Sequence, residues 1–245
     1  MRFWDVYNLG FFHKIFFNKL ENGYSINNDK LTYIILAFAV IALVSYLVGS
    51  LNFSILISRF YGKDVRDGGS GNAGATNMTR QFGKKAGIFT FVGDFSKAFI
   101  MTVLGIMVFG RLGGLIAGLL CIVGHAFPLY FKFRGGKGVA CVVAVVLLTS
   151  PISFFVLALI YAIILFGFKM VSFASIMSVL IYPFIIAKIE YKGLGPHFLV
   201  AMVISFFIVF LHRKNIIRIF NHEEPKISLG KKNKNKEKRN ENSEK

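Results

Sequence analysis

Residues 31–58 read LTYIILAFAVIALVSYLVGSLNFSILIS and contain no charged side chain. The hydrocarbon core of a membrane is about 30 Å thick, and a helix of about 20 apolar residues can cross it. Within that core every backbone N–H and C=O group must find its partner inside the protein, and a helix provides this. The run therefore predicts a transmembrane helix over about 31–57.

Runs of the same kind recur along the chain, which is 55% apolar and has a mean hydropathy of +0.60. We expect an all-α, polytopic membrane protein with about seven transmembrane helices. Pro151 interrupts the apolar stretch 138–168, which fits either one kinked span or two short segments meeting at a turn. The expected spans are 31–57, 88–109, 112–130, 138–150, 152–168, 170–187 and 194–211.

The sequence divides into three parts. Residues 1–30 carry aromatic side chains at helical spacing, which fits an interfacial amphipathic helix or a loosely ordered leader. Residues 31–211 form the expected membrane domain. Residues 212–245 form a basic tail with a motif at 212–226, and beyond Ile227 its polar composition predicts disorder and loose binding to anionic lipid.

Basic residues set the expected orientation. The loops 59–87 and 131–137 and the tail are rich in Lys and Arg, and with seven crossings all three lie on one side. The positive-inside rule makes that side cytoplasmic, so we expect the N-terminus outside and the C-terminus in the cytoplasm. Topology and anionic lipid also account for the net charge of +17, so we expect no nucleic-acid partner. Cys121 and Cys141 lie in apolar segments and form no disulfide framework.

One polar stretch interrupts this apolar chain: Gly68-Gly69-Ser70-Gly71-Asn72-Ala73-Gly74-Ala75-Thr76-Asn77, followed by Arg80. Its closely spaced glycines disfavour a regular element, since each costs roughly 0.5–1 kcal/mol relative to alanine. Glycines let backbone N–H groups turn toward one point, and such a concavity binds anions, most often phosphate.

Three further polar segments are expected at the same cytoplasmic face. A Gly-Gly-Lys-Gly turn is common, and basic residues beside a span usually set topology or anchor lipid. Because four such segments gather on one face of a single membrane domain, they predict a binding site. The three segments are Arg134–Gly138, the start of the sixth span with Ser172 and Ser175, and His212–Asn215.

In their order along the chain, these motifs resemble the bacterial membrane acyl-phosphate:glycerol-3-phosphate acyltransferases, the PlsY family. The resemblance runs from about Leu31 to Ile227 and rests on Ser70–Asn77, Gly124–Pro128 with Lys132–Ala140, His212–Arg218 and Glu224–Lys226. It implies a seven-helix enzyme of the bacterial plasma membrane with its active site at the cytoplasmic face. The implied reaction, the first step of phospholipid synthesis, moves a fatty acyl group from acyl phosphate to the 1-hydroxyl of glycerol 3-phosphate. Lysophosphatidic acid and phosphate are the products.

The resemblance also implies partners and residue roles. Acyl phosphate, glycerol 3-phosphate and membrane lipid are the expected partners, no cofactor or metal is expected, and the monomer is the expected functional unit. The expected catalytic residues are Ser70, Arg80, His212 and Asn215. Phosphate binding is expected from Gly71, Asn72, Gly74, Thr76, Asn77, Gly135, Gly136, Lys137, Gly138 and Ser175, and His125, Lys97 and Glu224 are further candidates.

Several roles stay open at this point. His212 is either a general base or a residue that hydrogen-bonds Asn215 and shapes the pocket. His125 either touches the site or braces a helix. Asp94 and Lys97, spaced i, i+3, favour an internal ion pair, and Glu224 is expected to hold the tail through Arg213 or Arg218.

The chain departs from the family pattern at three positions, and one other class of protein fits part of the sequence. Asn52 stands where proline is common, Ala98 where glycine is usual, and Ala174 in place of a first serine, which leaves Ser175. A transporter of a phosphorylated small molecule would also need phosphate pockets. It should show an internal repeat and a midplane site, and the sequence shows no repeat.

Overall fold

The computed structural model describes residues 7, 10, 28–191 and 193–227. Apart from Tyr7, Gly10 and the start of a helix at Asn28, the expected leader over 1–30 lies outside the described residues. The expected disordered tail beyond Ile227 lies outside them as well.

The described regular structure consists of helices, which confirms the all-α expectation. Two 3₁₀ turns, Val65–Asp67 and Leu129–Phe131, and a π-helical turn, Ile186–Glu190, connect the longer elements. The α-helices are α1 (Asn28–Gly49), α2 (Phe53–Phe60), α3 (Ala75–Ala126), α4 (Val139–Thr149), α5 (Pro151–Phe168), α6 (Val171–Ile185), α7 (Pro196–Leu211) and α8 (Arg213–Phe220).

Four helical stretches in the described residues are long and apolar enough to cross a membrane: Leu31–Phe60, Ala75–Phe131, Pro151–Phe168 and Val171–Glu190. A fifth results if α7 and α8, which bend by 59° where they meet, form one span. The protein is thus a polytopic helical membrane protein. The count of seven crossings and the orientation of the termini stay predictions.

The long helix α3 doubles back on itself. Its backbone leaves the helical conformation at Phe109 and at Gly110, whose φ of 67° suits glycine. The two arms pack backbone to backbone, since a Cβ on Gly105 would lie 2.5 Å from the carbonyl oxygen of Gly113. Small residues at a helix–helix contact allow this approach. The arms match the separate segments expected at 88–109 and 112–130.

The crossing expected over 31–57 matches the candidate span Leu31–Phe60, but the helix is interrupted within it, because the chain breaks between α1 and α2. Gly49 ends α1 directly against the backbone of Cys121, where a Cβ would overlap the Cys121 carbonyl. Asn52 then caps α2, its Oδ1 accepting from the N–H of Ile55 at 3.2 Å. The residue that replaces the family's proline thus begins a new helix.

Two other elements bear on the sequence predictions. Helix α4 ends at Thr149 and α5 begins with Pro151 at its first turn, so this stretch is two segments that meet at a turn. Helix α8 was not expected, because residues 213–220 are polar on average and belong by composition to the basic tail. It is amphipathic and buries Asn215 against the rest of the protein.

The break after α1 predicts a strong dependence on the glycine at position 49. Gly49→Ala places a methyl group into the Cys121 backbone, and such overpacking costs about 1–3 kcal/mol. Gly167→Ala, in α5, is the matched control because no atom lies within 4 Å of its Cβ position. In thermal unfolding in detergent, Gly49→Ala should lower the midpoint while Gly167→Ala leaves it unchanged or raises it. Equal midpoints would contradict the close contact.

Candidate active site

The loop before α3 is organised around the amide of Asn77. Its Oδ1 accepts from the N–H of Ser70 at 3.0 Å, and its Nδ2 lies 2.9–3.1 Å from the carbonyls of Val65, Gly68 and Asn72. An amide nitrogen has only two hydrogens, so these carbonyls use its donors fully. Asn77, expected as a phosphate ligand, therefore acts by shaping the loop.

The glycines of this loop serve the backbone turn. The N–H groups of Gly71 and Gly74 donate to the carbonyls of Gly68 and Asn72, each at 3.0 Å, so these two groups are used within the loop. The next N–H groups, of Ala75 and Thr76, open α3, where a helix leaves its first donors unpaired. They are the backbone donors available for an anion.

The second glycine-rich loop packs against the first. A Cβ on Gly136 would overlap both the carbonyl of Ala73 and the ring of His125. The N–H groups of Gly135 and Gly136 donate to the carbonyls of Ala126 and His125 at 3.0 and 3.1 Å. Arg66 also joins the loops, its guanidinium donating to the carbonyls of Phe131 and Arg134. Gly135 and Gly136 thus allow close packing and fix the position of Lys137.

Helix α8 and the residues after it complete the arrangement. Asn215 accepts from the ammonium of Lys137 and donates to Glu224 at 2.8 Å. Glu224 also accepts from Ser172 and pairs with Arg218 at 2.8 Å. The expected contact of Glu224 with Arg218 is present, and through it this carboxylate joins α8 to the start of α6.

These segments enclose a polar cavity of about 190 Å³. It brings together side chains from four separate parts of the chain, as the sequence predicted for a single site. Gly71, Gly135, Gly136 and Lys97, expected in the site, are not on its wall. The expected residues that line it are Ser70, Asn72, Gly74, Thr76, Asn77, Arg80, His125, Lys137, Gly138, Ser175, His212, Asn215 and Glu224.

Sequence reasoning missed several wall residues. Asp94 was expected only as the partner of Lys97, Arg218 only as a partner of Glu224, and Tyr161 not at all, yet all three line the cavity. Arg218 follows Asn215 by three residues, so both point inward once α8 is known to be a helix. No periodic signal in this short polar stretch identified that helix.

Burial controls the charges of the cavity. Burial, with Arg218 and Arg80 nearby, lowers the pKa of Lys137 to about 8 despite the opposing charge of Glu224. Burial raises the pKa of Glu224, but hydrogen bonds from Arg218, Ser172 and Asn215 outweigh it and hold that pKa below its usual value. At neutral pH Lys137 is charged, while Arg80 makes no hydrogen bond or ion pair with any described residue. Both cations are available for an anionic ligand.

His212 lies at the bend between α7 and α8. Its Nδ1 is 2.8 Å from the carbonyl of Ile208, so Nδ1 carries the proton and Nε2 is an acceptor. Of the two roles left open for His212, the one with a bond from its ring to Asn215 has no such bond here: the Asn215 side chain accepts from Lys137 and donates to Glu224, and its backbone N–H donates to the His212 carbonyl at 2.8 Å. Burial and the charge of Lys137 lower the pKa of His212 to about 4, so the ring is neutral at physiological pH.

An apolar cavity of about 320 Å³ adjoins the polar one. It runs between α4, α5 and α6, with Val146 and Tyr182 among its deeper residues. The two cavities share wall residues, so a basic cavity lies directly beside a hydrocarbon-lined one. The shared residues are Phe91, Val139, Tyr161 and Ser175.

The fold and the adjoining cavities define a class: a helical membrane enzyme whose site accepts an anion next to an apolar chain. The chain matches the model of the glycerol-3-phosphate acyltransferase family over residues 39–222. A glycerol-3-phosphate acyltransferase of Finegoldia magna is 37% identical over 193 residues, covering 77% of this chain and 95% of that protein. A glycerol-3-phosphate acyltransferase 2 of Bacillus cereus is 40% identical over 195 residues, covering 78% and 96%.

Solved structures agree with these relatives. The glycerol 3-phosphate form of PlsY, an integral membrane glycerol 3-phosphate acyltransferase, matches with 34% identity and a TM-score of 0.74 over 78% of this chain and 96% of that one. Its lysophosphatidic acid form matches with 34% identity and a TM-score of 0.72, over 78% and 95%. The chain belongs to the glycerol-3-phosphate acyltransferase family of the PlsY type. This confirms the resemblance and the assignment as an acyltransferase.

The lowered pKa of Lys137 predicts a pH dependence. Lys137 binds an anion only when protonated, so kcat/KM for glycerol 3-phosphate should fall as the pH rises through about 8, roughly tenfold per further pH unit. Lys137→Arg keeps the charge to much higher pH and should remove this falling limb, at lower absolute activity. Initial rates between pH 6.5 and 9.5 measure this dependence of kcat/KM on pH. A wild-type kcat/KM that stays constant up to pH 9.5 would show that the positive charge of Lys137 is not required.

Proposed function

We propose that the protein transfers a fatty acyl group from an acyl phosphate to the 1-hydroxyl of glycerol 3-phosphate. The products are lysophosphatidic acid and inorganic phosphate, and the reaction begins phospholipid synthesis. One observation carries this proposal: the basic polar cavity lies directly beside the apolar one and shares wall residues with it. A phosphorylated fatty acid has the same two chemical ends.

Cations around the polar cavity match two phosphate-bearing substrates. Arg80, Lys137 and Arg218 all line it, and Arg80 has a free planar guanidinium suited to a bidentate phosphate contact. Lys137 is held by Asn215 and supplies a compact positive charge. Ser70, Asn72 and the N–H groups at the start of α3 add neutral donors. Arg80 and Lys137 thus offer one cation to each phosphate group, while the charge of Arg218 is shared with Glu224.

Positioning and charge account for most of the proposed catalysis. Acyl phosphate is an activated mixed anhydride, so the glycerol hydroxyl attacks the acyl carbon, the bond from that carbon to the phosphate oxygen breaks, and phosphate leaves. The hydroxyl proton ends on the leaving phosphate. His212, neutral with a pKa of about 4, is a weak base, which favours its action as a hydrogen-bond acceptor that shapes the pocket.

The apolar cavity receives the acyl chain in this proposal. Val142, Val143, Phe154 and Leu157 are among the side chains that surround it, and burying hydrocarbon there contributes about 0.8 kcal/mol per methylene group. Ser175 lies on the wall of both cavities, with its hydroxyl bonded to the carbonyl of Val171 at 2.9 Å. The acyl carbonyl is therefore expected near Ser175, where the two environments meet.

The setting proposed for this reaction is the bacterial plasma membrane. We place seven crossings in the domain 31–211, with the N-terminus outside and the polar cavity and C-terminus in the cytoplasm, because the loops around the cavity carry the basic residues. The monomer is the proposed functional unit. No metal or coenzyme is required by the proposed chemistry.

A direct assay tests the reaction. Purified protein should release phosphate from palmitoyl phosphate only when glycerol 3-phosphate is present, without added metal or coenzyme A. Losing a charged phosphate contact removes about 1.5–3 kcal/mol, so Arg80→Ala should lower kcat/KM roughly tenfold to several hundredfold. Arg80→Lys should recover little of this loss. Arg213→Ala, which removes a basic residue outside both cavities, should stay near wild type.

The opposite result is equally clear. If the wild-type protein turns over no acyl phosphate yet carries glycerol 3-phosphate across liposome membranes, the acyltransfer reaction proposed here is wrong and a transporter takes its place.

Labelling of intact cells tests the orientation. In a background of Cys121→Ala and Cys141→Ala, Gly193→Cys should react with a membrane-impermeant maleimide because residue 193 is exposed on the proposed outer side. Lys63→Cys, exposed in the 59–87 loop, should react only after the membrane is permeabilised. The reverse pattern would place the polar cavity outside.

A further inference from the structure

His125 has a place in the cavity that the proposed reaction leaves unused. It ends the second arm of α3, and its side chain lines the polar cavity beside Asp94. Behind it lies a buried charged group: the side chains of Asp94 and Lys97 are each only 3% exposed. Asp94 Oδ1 is 2.9 Å from Lys97 Nζ and 3.3 Å from His125 Nδ1.

The contacts of Lys97 determine which ring nitrogen of His125 carries the proton. An ammonium group has three hydrogens. The three shortest contacts of Lys97 Nζ are with the carbonyls of Leu51 and Gly49, at 2.6 and 2.8 Å, and with Asp94 at 2.9 Å. These use all three hydrogens and leave none for His125 Nδ1 at 3.1 Å. Nδ1 therefore carries its own proton, which it donates to Asp94, and Nε2 is left as an acceptor.

The surroundings of Nε2 point it toward a ligand. It packs against Gly136, where any side chain would overlap it, and it has no hydrogen-bond partner among the described residues. A carboxylate that accepts from one ring nitrogen fixes the tautomer, so the other nitrogen, Nε2, is an acceptor on a residue that lines the cavity. The cationic side chains of the cavity, Arg80, Lys137 and Arg218, are hydrogen-bond donors, and the ring of His212 is a second neutral acceptor.

We propose that His125 Nε2 accepts a hydrogen bond from a hydroxyl of the glycerol moiety while the cations bind the phosphates. The phosphate group of a monoester dianion has only acceptors and cannot bond to a bare Nε2, whereas a hydroxyl of glycerol 3-phosphate can donate to it. His125 thus distinguishes a polyol phosphate from a phosphate ester that has no hydroxyl group, such as the methyl phosphate dianion. Asp94 and Lys97 act as positioning residues that hold its tautomer. This inference rests on the proposed function, because it takes glycerol 3-phosphate as the ligand.

The tautomer can be measured without turnover. In protein labelled with ¹⁵N-histidine, the His125 signal is identified by its loss in His125→Asn. We expect a protonated Nδ1 and a bare Nε2, and adding glycerol 3-phosphate should shift the Nε2 resonance while adding methyl phosphate, a dianion without a hydroxyl group, does not. A proton on Nε2, or no shift at saturating glycerol 3-phosphate, would overturn the proposal even if the enzyme is active. An inactive enzyme that shows the shift would instead place the failure in the proposed reaction.

Kinetics of one variant separate a ligand contact from a structural brace. His125→Asn keeps a donor near Nδ1 for Asp94 and removes Nε2. Losing one neutral hydrogen bond should raise KM for glycerol 3-phosphate roughly three- to tenfold with little change in kcat. Inhibition by methyl phosphate, whose dianion has no hydroxyl group to donate, should keep its wild-type constant, because the cations are untouched. A parallel weakening of methyl phosphate inhibition would show that His125 only braces the loop of Lys137, and an unchanged KM would exclude the contact.

Discussion

The ammonium group of Lys97 is the contact on which the rest of the site depends. Breaking a helix inside a membrane leaves carbonyl groups without partners, and each unsatisfied group costs several kcal/mol there. Lys97 binds two such carbonyls, of Gly49 and Leu51, at the break between α1 and α2. The charge this buries is compensated by Asp94 three residues earlier. An ion pair can be buried when each ammonium hydrogen has an acceptor, whereas a single unpaired charge at the same place would strongly destabilise the protein.

The broken helix has a consequence for the cavity. The new helix α2 starts at Asn52, whose amide also reaches the carbonyl of His125 at 3.5 Å, and Asp94 accepts from the N–H of Phe53 at 3.4 Å. The carbonyls of His125 and Ala126 in turn accept from the loop that carries Lys137. A continuous series of contacts therefore runs from the break in the first span to the phosphate-binding lysine. The buried pair of Asp94 and Lys97 thus helps to position the loop that carries Lys137.

The sequence predicted the class of fold and most of the cavity wall. Long uncharged runs marked the helices, and the glycine-rich motifs marked the loops that meet in space. The sequence could not predict which residues of a motif face the cavity and which stabilise the loop. Asn77 belongs to the same motif as Ser70, yet its amide is hydrogen-bonded within the loop. Gly136 belongs to the same motif as Lys137, yet it serves to allow the close approach of His125. Only the folded backbone separates those that face the cavity from those that shape it.

Two other features depended on tertiary contacts. The break at Gly49 lies in an apolar run with no charge to mark it, and it exists because α1 meets the backbone of Cys121. Helix α8 is short and polar, and its place is fixed by the bond of Asn215 to Lys137 and by Glu224, which binds Asn215, Arg218 and the distant Ser172. Local propensity is weak for eight residues, so packing decides the structure.

The central claim is that both substrates lie together in the two adjoining cavities and react directly. Two-substrate steady-state kinetics test this, with acyl phosphate varied at several fixed concentrations of glycerol 3-phosphate. Direct transfer in a ternary complex predicts double-reciprocal lines that intersect. Parallel lines would indicate an acyl-enzyme that releases phosphate before glycerol 3-phosphate binds, and they would contradict the account.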